Sequence, residues 1–245
     1  KMGNMASLTP DPSVDATLYY FRGRGKADQI RWLLAASGIS FSQRDVDTVG
    51  KFRFLASELA FGKVPMLQID GREVVESQAI LRYIARREKL AGKSDEEMVL
   101  ADQIAEAVRD AVNPLLMAPF ERKKSHEATG DKTAPAHVQK MKETFVKFAT
   151  RFEKLLTSND NSGYCVGTSR TYADILVAHC LTWYVEEVGR DVLDPYPALI
   201  DLQNAVISIP EVRRFIRSTL FHPIGDVGYA NEVLDILGRG NPACK

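Results

Sequence analysis

The 245-residue sequence predicts an α/β domain on a four-stranded mixed sheet, followed by an all-helical domain. Two observations carry that expectation. Residues 16–88 alternate short apolar strands with amphipathic helices, and an Asp-Gly turn separates the last two strands. Beyond residue 95 no alternating segment appears, and apolar residues step by three and four.

The elements follow in order. Ala16 to Phe21 (ATLYYF) is short, apolar and aromatic, as a strand requires, and Arg22-Gly23-Arg24-Gly25 ends it. Lys26 to Ser37 carries Ile30, Leu33 and Leu34 at helical spacing, with Gly38 as the stop. Phe41 to Val46 reads as a second strand and Lys51 to Leu59 as a short, irregular helix. Met66 to Ile69 and Glu73 to Val75 flank the hairpin signal Asp70-Gly71. Ser77 is then expected to cap a helix carrying Ile80, Leu81 and Ile84. This order gives parallel pairing first and a hairpin after, with helices on both faces of the sheet. In the second half, one face runs through Ile104, Val108, Val112 and Leu115. Another runs through Val138, Met141, Phe145, Phe148, Phe152 and Leu155. The domains are expected as a disordered leader at 1–15, the α/β domain at 16–88, a charged linker at 89–94 and the helical domain, with a tail helix, at 95–245.

Bulk composition excludes several classes. Lysine plus arginine equals aspartate plus glutamate at 32 each, with pI near 7.1, so no bulk charge favours nucleic acid or an anionic membrane. No apolar run approaches a membrane span. Cys165, Cys180 and Cys244 are widely spaced with no Cys-x-x-Cys pair, so no metal site or dithiol motif is expected and a reducing, cytoplasmic location is. Met2-Gly3-Asn4-Met5-Ala6-Ser7 fits a myristoylation pattern at Gly3 if Met2 is the start, but composition favours a disordered leader.

Four local constellations bear on chemistry. Leu18-Tyr19-Tyr20-Phe21 lies at the C-terminal end of a strand, where open sheets hold ligands, although taken alone it reads first as aromatic core. Val64-Pro65 enters a strand. A cis bond there exposes a peptide edge to which a peptide ligand can add as a strand, although proline is also ordinary at a strand start. Glu76-Ser77 opens a helix whose free N–H groups attract a carboxylate, while Glu76 suits an ammonium; together they suit the α-amino acid end of a ligand. A plain cap is the competing reading. Thr171 and Asp174 are spaced as a capping box, a folding signal.

Taken together, the run from Ala16 to about Leu237 resembles the cytosolic glutathione transferase family. Tyr20-Phe21-x-x-Arg24-Gly25-Lys26 is similar to its tyrosine-type signature, shared by the alpha, mu, pi and sigma classes, and looks closest to sigma-like and protozoan forms. Val64-Pro65, Glu76-Ser77-Gln78-Ala79-Ile80 and Thr171-x-x-Asp174 follow in the family's order. The resemblance implies a thioredoxin-like first domain, glutathione as co-substrate, no metal, a homodimer, and conjugation of the glutathione thiolate to small electrophiles, with hydroperoxide reduction beside it. A non-catalytic binder of haem or apolar anions and a glutathione-dependent isomerase are the alternatives on the same fold.

It also implies roles. Tyr20 donates a hydrogen bond to the glutathione sulfur, with Tyr19 as competitor and Phe21 beside it. Lys26 supports the thiolate, in a position where relatives carry arginine. Val64 pairs with the cysteinyl backbone next to cis-Pro65, Ser77 takes the γ-glutamyl carboxylate and Glu76 the amine. Asp110 reaches the partner's glutathione, or is a solvated helix carboxylate. Lys63, Arg53 and Lys51 are cations for the glycine carboxylate, and Phe52 stands in for a tryptophan. The electrophile pocket is expected between Asn113–Phe120 and a tail helix over Val227 to Leu237, although both segments also read as core. His179 is expected as a satisfied core histidine.

Overall fold

The computed structural model describes residues 11–160 and 162–239. The myristoylation pattern at Gly3 and Cys244 lie outside the described residues.

The chain runs β1 (Ala16–Tyr20), α1 (Asp28–Ala36), β2 (Phe41–Asp45), α2 (Val49–Glu58), β3 (Met66–Ile69), β4 (Arg72–Val75) and α3 (Ser77–Arg87). The sheet order is β2-β1-β3-β4. β1 pairs parallel with β2 and antiparallel with β3, and β3–β4 is the hairpin turned at Asp70 and Gly71, both with positive φ. β1 is buried along its whole length because it is central, with helices on both faces. The helical half follows as α4 (Asp95–Thr129), α5 (Pro135–Ser158), α6 (Tyr172–Val188), α7 (Pro197–Ile207), α8 (Pro210–Ile216) and α9 (Val227–Ile236). Buried residues form one continuous core across both halves. Among the described residues, no helix is long and apolar enough to cross a membrane.

Several expectations need correction. Residues 11–15 belong to no disordered leader: Asp15 bonds the backbone and hydroxyl of Ser40, and the N–H of Asp11 donates to the Thr17 hydroxyl at 3.2 Å. α2 is regular and starts at Val49, because the Thr48 hydroxyl caps it by accepting from the Lys51 N–H. The first turn after β1 is a 3-10 turn, Gly25–Ala27, which tightens the entry to α1. On α5, Leu155 is 39% exposed, and the buried face runs Met141, Phe145, Ala149, Phe152, Leu156. The stripe has already stepped by three from Ala149 to Phe152, and a second step of three rotates Leu155 off it, whereas a step of four keeps Leu156 on the core. Finally, Ser77 is not the cap of α3. Glu76 occupies that place at φ 67°, without a side-chain cap bond, and Ser77 is the first helical residue.

The Thr171–Asp174 capping box is present as expected, and the Asp174 carboxylate also accepts from the Cys165 N–H at 2.6 Å. It ties the loop before α6 to the helix start. Cys165 and Cys180 are free, buried thiols.

Candidate active site

β1 delivers Tyr19 and Tyr20 to opposite faces of the sheet, as its pleat requires. The Tyr19 hydroxyl donates to Gln68 Oε1 at 2.9 Å and is thereby occupied within the fold. Tyr20 instead lines a cavity of about 930 Å³ between the sheet's edge and the helical half. Its hydroxyl accepts the Lys26 N–H at 2.9 Å and, among the described residues, finds no acceptor for its own hydrogen. Burial pushes the phenol's pKa up, against the pull of the Lys26 N–H and Arg31. At neutral pH the ring is therefore a protonated donor.

The loop after β1 exists in this shape because of Gly25. Its φ is +47°, and a Cβ there would stand 2.7 Å from Tyr20 Cε1 and 2.9 Å from Cζ. Only glycine lets the backbone fold under the tyrosine and present the Lys26 N–H to its oxygen. Phe21 braces the ring at 5.0 Å between centroids and leans on Phe52 at 6.1 Å.

Buried charges fix this loop to both halves. Arg31 donates to the carbonyls of Gly23 and Arg24 at 2.9 and 3.2 Å, and its guanidinium lies 6.0 Å from the Tyr20 ring centroid. Arg24 is 4% exposed; it ion-pairs with Glu186 of α6, donates to the His222 carbonyl at 2.8 Å, and lies over Phe221 at 4.8 Å. Asp28 meets Arg31 at 3.3 Å and His179 Nε2 at 3.1 Å. Burial alone would raise the Asp28 carboxyl, but His179, Arg31 and Arg24 outweigh it and hold the pKa below the usual value. His179 is thus a core histidine only half satisfied: its Nδ1 has no partner among the described residues.

Of the expected site residues, Tyr20, Phe21, Lys26, Phe52, Lys63 and Val64 line this cavity together. Val64-Pro65 is cis, and Pro65 is buried behind Val64. The β3–β4 register ends at Met66 with Val75, so Val64 and Pro65 lead into one end of the hairpin and Glu76 and Ser77 leave from the same end. Glu76 and Ser77 do not line the cavity. Because Glu76 makes no side-chain cap, the first N–H groups of α3 keep their free donors, which strengthens the case for an anion there. Arg53 is exposed and outside the cavity, and Lys51 is paired with Asp47 at 2.8 Å. Lys63 is the cation of the three that lines it. Asp110 lies exposed on α4, 3.7 Å from Arg109 and away from this cavity.

The opposite wall joins Leu116, Met117 and Phe120 of α4 to Tyr229, Val233 and Leu237 of the tail. Both segments expected to wall the pocket do so. Sequence reasoning missed Asp28 and Arg31, although opposite charges three apart inside an apolar helix were a usable signal. It also missed His222 and Arg239, whose surroundings offered no such signal. Among the described residues, no group of three or more acidic, histidine or cysteine side chains is placed to hold a metal.

With this geometry in hand, the likeness to known proteins is specific. The family description "Glutathione S-transferase, N-terminal domain" matches residues 15–86, and "Glutathione S-transferase, C-terminal domain" matches residues 109–219. "Glutathione S-transferase A3" of Homo sapiens is 35% identical over 204 residues, covering 82% of this chain and 87% of that one. "Glutathione S-transferase alpha-4" of Rattus norvegicus is 32% identical over 227 residues, covering 91% and 98%. Among solved structures, the glutathione S-transferase Na-GST-3 of Necator americanus, described as monomeric, superposes with TM-score 0.70 at 28% identity over 83% of this chain and 96% of that one. A Nu-class enzyme of Haemonchus contortus does so with TM-score 0.65 at 28% identity, over the same shares. Alpha is one of the tyrosine-type classes in the resemblance; the leaning toward sigma-like forms draws no support from these relatives.

Proposed function

The chain belongs to the glutathione S-transferase family and is a glutathione transferase, and from that premise we propose how its cavity performs the conjugation. Tyr20 donates its free hydrogen to the glutathione sulfur and holds it as thiolate. A free thiol titrates near ~8.5, and lowering that by about two units corresponds to ~2.7 kcal/mol. One hydrogen bond to a charged group supplies roughly 1.5–3 kcal/mol, so Tyr20 alone has the required magnitude and no general base is needed. The observation that carries this reading is a protonated phenol lining the cavity, its oxygen already held by the Lys26 N–H and its hydrogen unclaimed.

The rest of the tripeptide follows. Val64 pairs with the cysteinyl backbone, the first N–H groups of α3 with Ser77 take the γ-glutamyl carboxylate, and Glu76 takes the amine. Lys63 takes the glycine carboxylate, with Phe52 against the same end, and Lys26 adds positive charge near the sulfur. The thiolate attacks a soft electrophilic carbon held against Leu116, Met117, Phe120 and the tail helix. The same thiolate and apolar wall suit organic hydroperoxides, whose O–O bond breaks as sulfur bonds to oxygen. A homodimer belongs to this reading, supported by large exposed apolar side chains at Phe61 (64%) and at Met98, Val99 and Leu100 on the first turns of α4. In it Asp110 faces the partner's glutathione. Buried, unbridged Cys165 and Cys180 suit a cytoplasmic location.

Tyr20→Phe keeps the ring and removes the donor. The conjugation rate with a halonitroaromatic is expected to fall ~10- to 100-fold, as the loss of a charge-assisted hydrogen bond implies, while glutathione still binds. An unchanged rate, or bound glutathione whose thiol ionises as it does in water in the wild type, rules the assignment out.

A further inference from the structure

We propose that Arg239 is a specificity-determining residue, one that selects electrophiles carrying a carboxylate or sulfonate at the end of an apolar body. The inference rests on the transferase reading and names a substrate class for it.

The charges of the cavity are lopsided. Its lining holds the cations Arg22, Arg24, Lys26, Lys63 and Arg239 against a single carboxylate, Asp226. Burial pushes the His222 pKa down to about 4, so that ring adds no charge at neutral pH. Arg22 pairs with Asp45 at 3.1 Å and Arg24 with Glu186, both outside the lining. Lys26, Lys63 and Arg239 make no ion pair among the described residues. In the transferase reading Lys63 meets the glycine carboxylate and Lys26 the thiolate, while the start of α3 takes the γ-glutamyl carboxylate. Glutathione then has no anionic group left for Arg239.

Asp226 does not neutralise this arginine. The two residues flank α9 at opposite ends, and its ten residues, at about 1.5 Å each, hold them ~15 Å or more apart. That exceeds the screening length of about 8 Å at physiological salt. The Asp226 carboxylate is also engaged, accepting the Tyr229 N–H at 2.8 Å. Glu232 and Asp235 of α9 are exposed and do not line the cavity.

The backbone of Arg239 is fixed. α9 ends in a Schellman motif: Gly238, at φ 68°, donates its N–H to the Asp235 carbonyl at 2.9 Å, and Arg239 donates its own to the Leu234 carbonyl at 2.8 Å. The cation is thereby rooted two residues beyond Leu237, so the electrophile wall runs apolar along Val233 and Leu237 and finishes in a positive charge. A cation at a helix C-terminus also favours the helix dipole, but that role requires no place in the cavity lining.

This wall suits an electrophile whose ring lies on Val233 and Leu237 and whose anion meets Arg239. Without the arginine, the thiolate and the glycine carboxylate would repel such a molecule. With a chloromethylarene, the glutathione sulfur forms the C–S bond at the benzylic carbon and chloride leaves with the electron pair. The anionic group takes no part in the bond changes.

The test measures kcat/KM for 4-(chloromethyl)benzoate and its neutral isostere 4-(chloromethyl)benzamide at saturating glutathione, each divided by its uncatalysed rate with glutathione. Wild type is expected to favour the benzoate. Arg239→Gln should cut that preference ~3- to 5-fold, the upper range for an exposed ion pair, and Arg239→Glu ~10-fold or more, since repulsion replaces attraction. In wild type alone, raising the salt from about 0.05 to about 0.5 M should shrink the preference, a readout independent of any variant's folding. A wild type that favours the benzamide, or a preference unmoved by both substitutions or by salt, overturns the proposal. So does an Arg239→Gln enzyme with a raised KM for glutathione and an unchanged preference, which would give Arg239 to the tripeptide. A wild type that conjugates a halonitroaromatic but neither chloromethylarene overturns it as well, and one inactive with all three sinks the transferase reading itself.

Discussion

On the thiol side of the cavity the working atoms come from neighbours in sequence. Tyr20 ends β1 and Gly25 and Lys26 lie in the turn that follows it, where the Lys26 N–H reaches the Tyr20 oxygen six residues back. The free N–H groups at the start of α3 and the Val64 edge are likewise backbone. On the electrophile side the wall is assembled from side chains far apart in the chain: Leu116 and Phe120 from α4, Tyr229 and Val233 from α9. A backbone surface suits a ligand that never changes, because its geometry survives most substitutions. A surface of side chains suits ligands that vary, because each residue is replaced without moving the others. The two sides should therefore respond differently to mutation: the first by losing all reactions together, the second by changing which reactions are favoured.

The severest trial of that contrast is Gly25→Ala. The added methyl would crowd the Tyr20 ring at 2.7–2.9 Å, and the residue must also hold φ +47°. With Phe21 at 5.0 Å and Arg31 at 6.0 Å, the ring yields only toward the cavity it lines, which carries its hydroxyl off the Lys26 N–H. We expect about a 100-fold or greater loss of kcat/KM with every electrophile, the order of effect that misplacing a catalytic group by an ångström produces. Activity near wild type in Gly25→Ala would mean the thiol side is not set by backbone shape.

The next largest effect concerns the strut joining the two sides. Arg24 is on the thiol side's loop, yet its partners, Glu186 and the His222 carbonyl, are in the helical half. Arg24→Met keeps much of the stem and removes the charge. Breaking a buried pair from one side costs about 3–5 kcal/mol; Glu186, at 32% exposed, is partly relieved by water, so ~2–3 kcal/mol is expected. Denaturant titration measures it. Glu186→Gln, which leaves Arg24 with the His222 carbonyl, should lose less. Equal stability of Arg24→Met and wild type would show that the Arg24–Glu186 pair adds nothing to the hold between the two halves.

The same contrast explains what was legible in the sequence. The sheet, its hairpin at Asp70-Gly71 and the Val64-Pro65 step are local signals, legible in the sequence. Tyr20 was separated from Tyr19 by motif, and the structure supplies the physical ground: the pleat turns Tyr19 toward Gln68 and Tyr20 toward the cavity. Glu76 escaped because a serine followed by an apolar helix is the commonest cap signal, and nothing local announces that the preceding residue will adopt φ 67°. The bond between Arg24 and Glu186 spans 162 residues, and no periodicity encodes such a pairing. Gly23 and Gly225, where a Cβ would strike the Tyr229 ring, are hidden for the same reason, since a glycine reads as a turn until the ring above it is known.

The smallest expected effect lies under the junction, at His222. Burial, reinforced by the positive charge of Arg31 and opposed by Asp28 and Asp45, pushes its pKa down to about 4 from 6.5. Its Nε2 has no partner among the described residues. The folded state thus resists a proton that the unfolded chain accepts. Between these two values the unfolded state binds more protons, so stability falls as pH falls through that window and is fully present above 6.5. His222→Gln keeps the backbone carbonyl that receives Arg24 and removes the titration. Its thermal midpoint should drop less than that of wild type on going from about pH 7 to about pH 5. The difference will be modest, because the side chain is only partly shielded from water. Parallel curves for the two proteins would mean that His222 is solvated when folded. The junction between the backbone-built and side-chain-built walls would then be wet, and the Arg24 strut would be working at higher dielectric than its burial implies.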